Sequence, residues 1–129
     1  MLYKIQSTRP LDEIERELQE SAARHKFGVI ATHDLQQIMS KKGVDLAMEC
    51  RIYEVCNPFQ AKKVLEADPS ISAALPCRIS IYGSVGHHTL ATMRPTEMMK
   101  GFADPAIEQV AREVEAVLVQ MMQDAAGRS

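Results

Sequence analysis

Two cysteines stand in settings that could tune a thiol. Cys56 precedes Asn57-Pro58, where a strand hands over to a helix, and Cys77 follows Leu75-Pro76 at the start of another strand. A thiol beside a helix N-terminus meets outward-pointing backbone N–H groups and the positive end of the helix dipole. Both favour the thiolate, which is the nucleophile and the metal ligand. Cys56 is therefore the candidate attacking thiol and Cys77 the candidate resolving thiol, for redox sensing, sulfur transfer or persulfide handling. The competing reading is packing, because free cysteine is among the most buried residue types. Cys77 shares a strand face with Ile79 and Ile81, which favours packing for it. The two cysteines lie 21 positions apart, so no Cys-x-x-Cys signature exists and only the fold can bring them together. Neighbouring strands about 5 Å apart would allow a meeting at one sheet end. Asn57, Pro58 and Pro76 complete the candidate ligand-binding set. Asn57 and Pro58 are explained as a helix cap and first turn. Pro76 would aim Cys77 if its peptide bond were cis, but most X-Pro bonds are trans and trans is expected here.

Other chemistry is weaker. His87 and His88 are adjacent in a strand, so they point to opposite faces and cannot easily share a metal. Both are expected to be exposed hairpin residues. A site built from His33, Cys56 and Cys77 is conceivable because zinc favours thiolate and imidazole, yet the spacing gives it no support. Met93, Met98 and Met99 with the cysteines could bind a soft metal, although core packing is the stronger explanation. Gly83-x-x-Gly86 precedes no helix and is a turn, not a phosphate loop. There is no G-x-S-x-G, H-E-x-x-H, Walker or dinucleotide pattern. No cofactor and no metal ligand are assigned.

The elements that must hold these residues follow from hydropathy and punctuation. Leu2–Ser7 alternates as a strand with Tyr3 and Ile5 on one face. Pro10 opens a helix with Leu11, Ile14, Leu18 and Ala22 as its buried stripe, ending near Phe27-Gly28. Val29–His33 is a strand, and Asp34 caps a helix over Leu35–Lys42 that Gly43 stops in the left-handed conformation. Met48–Cys56 is a strand. Pro58 starts a helix offering Phe59, Val64 and Leu65 to the core, ended by Asp68-Pro69. Cys77–Tyr82 is the clearest strand, joined by a Gly83–Gly86 loop to His87–Met93. A short irregular or helical piece covers Pro95–Lys100. Asp104-Pro105 starts the longest helix, with Ile107, Val110, Ala111, Val114, Val117, Leu118, Met121 and Met122 at helical spacing. Ala125–Ser129 should fray. The expected fold is α+β: two layers, a largely antiparallel sheet covered by helices, in one domain over 1–129.

Composition narrows the function classes. The 129 residues suit one domain, and 46% hydrophobic with 25% charged residues indicates a folded body. A net charge of −2 gives no electrostatic footprint for nucleic acid. No apolar run reaches the roughly 20 residues that span a bilayer, and no signal-peptide core is present, so the cytoplasm is the expected location. Three cysteines do not make a disulfide framework.

The motifs Phe27-Gly28-Val29-Ile30-Ala31-Thr32, Asp34-Leu35, Lys42-Gly43-Val44-Asp45, Cys56-Asn57-Pro58 and Leu75-Pro76-Cys77 resemble, in order and spacing, the domain-of-unknown-function 302 family. The resemblance covers nearly the whole chain. It implies a β-α-β4-α, TATA-binding-protein-like architecture in a small stand-alone bacterial or archaeal protein. It does not imply DNA binding, because a fold is not a function. The family has no established role, and Cys50, His87 and His88 lie outside its pattern.

Three functions remain open. The first is a homodimeric binding module with a cleft where Cys56 meets Cys77, taking a small molecule or thiol ligand. An open sheet edge and the prevalence of two-fold oligomers suggest the dimer. The second is thiol chemistry by Cys56 and Cys77. The third is a soft-metal site.

Overall fold

The computed structural model describes residues 1–128. The chain enters as β1 (Leu2–Ser7), crosses in α1 (Leu11–Arg24), and begins β2 (Gly28–Asp34) at the far edge of a five-stranded sheet. A short α2 (Leu35–Ser40) leads into β3 (Glu49–Cys56), and α3 (Pro58–Ala67) with a 3₁₀ turn (Pro69–Ala74) leads into β4 (Cys77–Ser84). β5 (His87–Met93) then returns beside β1, and α4 (Pro95–Met98) connects to α5 (Pro105–Ala126). The spatial order is β1-β5-β4-β3-β2 and every pair is antiparallel. This is the expected β-α-β4-α arrangement, with short helices inserted between strands.

Strand alternation decides which residues meet the helices. Tyr53 and Val55 of β3 pair with Ile79 and Cys77 of β4, and all four point to the helical side. Arg78, Ser80 and Tyr82 point the other way, where they remain partly or fully exposed. α1 and α5 pack against each other over the inner face. Their stripes, Leu11, Ile14, Leu18 and Ala22 on one and Ile107, Val110, Val114 and Leu118 on the other, are buried as expected. A bulge at Ile30 interrupts β2 and leaves that side chain 61% exposed.

Local chemistry sets the boundaries. Pro10 sits just outside α1 as its N-cap instead of within it. The left-handed position after α1 falls on Lys26 (φ 63°), with the Phe27 N–H donating to the Ala22 carbonyl at 2.8 Å. α2 ends two residues earlier than expected, and Gly43 takes the left-handed conformation at φ 75°. The β4–β5 turn is Val85-Gly86 alone, tighter than the four-residue loop expected. Gly83 remains in β4, where a Cβ would collide with the His87 carbonyl oxygen. Phe59 and Leu65 do not reach the core; only Val64 of α3 is buried. Of its other apolar side chains, Phe59 faces solvent, while Ala61 and Leu65 line a cleft beside Val64.

Of the segment Ala125–Ser129 expected to fray, Ser129 lies outside the described residues, and Ala125 and Ala126 continue α5. Ala125 and Ala126 are buried, and Gly127 at φ 77° closes α5. The Ser7 hydroxyl donates to the Ala126 carbonyl at 2.9 Å, and Arg9 donates to the Asp124 and Ala125 carbonyls at 3.2 Å each. The Asp124 carbonyl also accepts from the Gly127 N–H at 3.2 Å, whereas last-turn carbonyls such as those of Ala125 and Ala126 find no donor further along the helix among the described residues, and Arg9 and Ser7 supply theirs. Among the described residues no helix is long and apolar enough to cross a membrane.

Candidate functional site

β3 ends at Cys56 and the chain turns directly into α3. Asn57 is extended (φ −106°, ψ 108°), and its Oδ1 accepts from the Phe59 and Gln60 N–H groups at 3.0 and 3.3 Å. Pro58 follows at the first helical position, where a missing N–H costs nothing. The cap oxygen, rather than the Cys56 sulfur, is thus the acceptor for these two helix donors.

The second cysteine arrives from the opposite direction. Asp68 closes α3 and caps the 3₁₀ turn, accepting from the Ser70 N–H at 3.0 Å and the Ser70 hydroxyl at 2.6 Å. The Leu75–Pro76 peptide bond is cis, correcting the trans expectation. Proline's tertiary amide separates the isomers by only about 0.5–1 kcal/mol, so surrounding structure, not sequence, decides between them. Cys77 then opens β4 opposite Val55. Burial, followed by the proximity of Cys56, pushes the Cys77 thiol up to about 11. It is a neutral thiol at pH 7.

Cys56 and Cys77 line one cleft of about 290 Å³. Asn57 and Pro76 line it with them; Pro58 does not, and serves the helix start alone. The walls are apolar: Phe27, Val55, Val64, Leu75, Val110 and Val114. Gln60 of α3 supplies one of its few polar groups. Its Nε2 donates to Glu113 Oε2 at 2.9 Å, while its Oε1 is buried with no hydrogen-bond partner. Hydrogen bonds from Gln109 and then Gln60 hold the Glu113 carboxyl below its ordinary range. The cleft therefore combines a mostly greasy interior with two thiols at the junction of β3, α3 and β4. It can take apolar surface out of water.

Other sequence candidates fall elsewhere. His33 pairs with Ile52, while Gly28, five residues back along β2, pairs with Cys56. At about 3.4 Å per residue that separation is roughly 17 Å, so the His33/Cys56/Cys77 metal arrangement does not form. Among the described residues no three His, Cys, Asp or Glu side chains converge to hold a metal ion. His87 is exposed as expected, but His88 is not: it is 1% exposed, a correction to the exposed hairpin reading. Its Nε2 lies 2.7 Å from Glu49 Oε1 and its Nδ1 lies 3.3 Å from the Arg9 carbonyl oxygen. Alternation gave the opposite faces of the two histidines; which face was inner depended on β1 pairing with β5. The cleft residues Val110 and Val114 do not read as site residues in the sequence, and Met99, which reads only as a core or soft-metal residue, also lines the cleft. The periodic stripe of α5 signalled burial, not which part of that stripe a cleft would leave open.

The family model described as "Domain of unknown function DUF302" matches residues 3–125. No curated protein matches the chain. Among solved structures, the chain is similar to an uncharacterized conserved DUF302 protein from Bacillus stearothermophilus. The identity is 27%, the match covers 96% of this chain and 97% of that one, and the TM-score is 0.89.

Proposed function

The chain belongs to the DUF302 family, and from that premise we propose that it works by binding a small, mainly apolar molecule in the cleft beside Cys56 and Cys77. One observation carries this: a cleft of about 290 Å³ walled by Phe27, Val55, Val64 and Val110 lies where both cysteine motifs converge. An apolar ligand gains about 25 cal/mol for each Å² removed from water, and such a wall offers few other sources of affinity. The test is binding of an environment-sensitive apolar dye, followed by fluorescence, in the native protein and in Ala61→Phe. Ala61 lines the cleft on exposed-side α3 and is only partly buried. The larger ring should abolish dye binding while leaving the unfolding midpoint in place. Undiminished binding in that variant would place the dye elsewhere and remove the reading.

The working unit of this proposal is a homodimer. The supporting feature is a sheet with two open edges, β1 and β2, and an exposed Ile30 on β2. Light scattering behind size exclusion tests it; a 14.4 kDa particle at micromolar concentration would end it.

A second reading, thiol chemistry with Cys56 attacking and Cys77 resolving, draws on the two thiols lining the same cleft. The raised Cys77 thiol suits a resolving role better than an attacking one.

A further inference from the structure

One polar atom of the cleft has no partner. Gln60 lies one helical turn before Val64, the side chain by which α3 reaches the core, and both line the cleft. Side chains four apart share a helix face, so Gln60 is directed to the same side. Its Nε2 donates to Glu113 Oε2 of α5 at 2.9 Å. Its Oε1 is buried with no hydrogen-bond partner among the described residues.

The neighbour fixes which way this amide faces. Hydrogen bonds from Gln109 and then Gln60 hold the Glu113 carboxyl below its ordinary range, so at neutral pH it is ionised and only accepts. Turning the amide over would set Gln60 Oε1 against a carboxylate oxygen. The amide nitrogen therefore stays on Glu113 and the oxygen stays turned inward. A buried acceptor without a donor is a standing cost to the folded state. An ordered water would need several polar partners to meet it, but the other α3 side chains on the cleft are Ala61, Val64 and Leu65. Asn57 Oδ1 is already occupied by two helix N–H groups, and Ser72 lies at the exposed rim. Among the described residues, no charged side chain lines the cleft.

We infer that the cleft takes a neutral, mainly apolar molecule bearing one hydroxyl or N–H group, which donates to Gln60 Oε1. The donor site is one wall of the apolar cleft and rests on the function proposed for it. A carboxylate ligand would bring only acceptors to that oxygen, with the Glu113 charge behind it and no cation in the wall. An ammonium would leave water with no anion in the wall to meet it. At about 30 Å³ for each water-sized group, the cleft of about 290 Å³ holds about ten non-hydrogen atoms. Glu113 is a positioning residue here: it holds the Gln60 amide and does not line the cleft.

The experiment is displacement of the environment-sensitive dye from the full chain by 1-nonanol, by its isomer octyl methyl ether, and by nonanoate. The alcohol and the ether have the same atoms, but only the alcohol donates a hydrogen bond. Nonanol should displace the dye at about tenfold lower concentration than the ether, with nonanoate weaker than both. Gln60→Met keeps a long, helix-compatible side chain and removes the acceptor. It should bind alcohol and ether alike, with its unfolding midpoint as the folding control. Glu113→Gln, on the exposed side of α5, gives the Gln60 amide a neighbour that accepts either orientation, and should shrink the preference for the alcohol. If the parent binds no dye, the apolar cleft fails and the donor site with it. If nonanol and the ether displace the dye equally, the cleft stands and the donor site alone falls. The donor site falls too if nonanoate matches nonanol, or if either variant keeps the parent's full preference.

Discussion

The Ser21 hydroxyl donates to Asp124 Oδ2 at 2.7 Å, joining α1 to α5 across 103 residues of chain. Arg24 reaches the same oxygen at 3.2 Å and Gln120 donates to the other at 2.9 Å. Partial burial works against the Asp124 charge, but these hydrogen bonds outweigh it and bring the carboxyl below its ordinary 3.8. A carboxyl lowered by folding stabilises the fold above the unfolded-state value and loses that contribution as pH falls through the folded value. The window is therefore below about pH 4. Asp124→Asn should flatten the acid limb of a stability-against-pH curve measured by urea unfolding. An unchanged limb would mean that the α1–α5 link contributes nothing ionic.

His88 and His87 make a paired test. The buried ring lies between Glu49 and the Arg9 carbonyl, while its neighbour faces solvent. His88→Ala removes a side chain from the interior and leaves the Arg9 carbonyl without it. The expected loss is roughly 1–3 kcal/mol. His87→Ala should stay within about 0.5 kcal/mol. Equal effects, read from denaturant midpoints, would contradict the burial of His88.

Tyr53 predicts the reverse of a usual core truncation. It is 0% exposed, and its hydroxyl has no hydrogen bond of normal geometry, although Arg51 and Glu15 lie close by. Burial first, and then the Glu15 charge, push the phenol well above its ordinary value. Arg51 instead spends its donors on Glu15 at 2.9 Å and Asp12 at 3.4 Å. Tyr53→Phe removes an unsatisfied polar atom and keeps the ring. Stability should hold or rise by about 1 kcal/mol. A loss of that size would reveal a hydrogen bond to the phenol.

How far these features could be read in advance follows their sequence distance. The buried stripes of α1 and α5 and the two faces of β4 were legible because their periods are local. So were the Asn57 and Asp104 caps, whose acceptor sits within three residues of its donors. The burial of His88 was not, because it depends on β5 lying beside a strand some 80 residues earlier, where Ser7 faces His88. The order at Ala125 and Ala126 was hidden for the same reason, since Ser7 and Arg9 supply the donors. The cis state at Leu75–Pro76 has no local signature. Of the candidate site, the two cysteine motifs were visible and their shared cleft was not: its walls come from α3, α5 and the segment after α1.

Lys26 predicts a gain. It holds φ 63° at the end of α1, a conformation that costs a residue with a Cβ about 1 kcal/mol. Lys26→Gly removes that cost, offset by the extra freedom of glycine in the unfolded chain. The net should be a stabilisation of about 0.5 kcal/mol, seen as a higher urea midpoint with unchanged slope. A destabilised variant would indicate that the lysine stem packs usefully at the helix end.

Cys77 connects stability with reactivity. Its thiol ionises at about 11 in the folded protein, against 9.0 for an ordinary cysteine. Below pH 9 both states are protonated and no pH dependence arises. Between the two values the unfolded chain ionises first, so stability falls as pH rises, by up to about 3 kcal/mol across the window. Cys77→Ala should remove that alkaline slope, whatever it does to stability at pH 7. The same shift makes the native thiol a poor nucleophile. At pH 8, iodoacetamide should label Cys77 in the folded protein about a hundredfold more slowly than in the unfolded chain. Mass spectrometry resolves the three cysteines by peptide. If Cys56 labels first and mild oxidation then joins it to Cys77, the thiol reading gains its attacking and resolving partners. If Cys77 labels at its unfolded rate, the cleft is open to water at that point, and the apolar pocket argument fails with it.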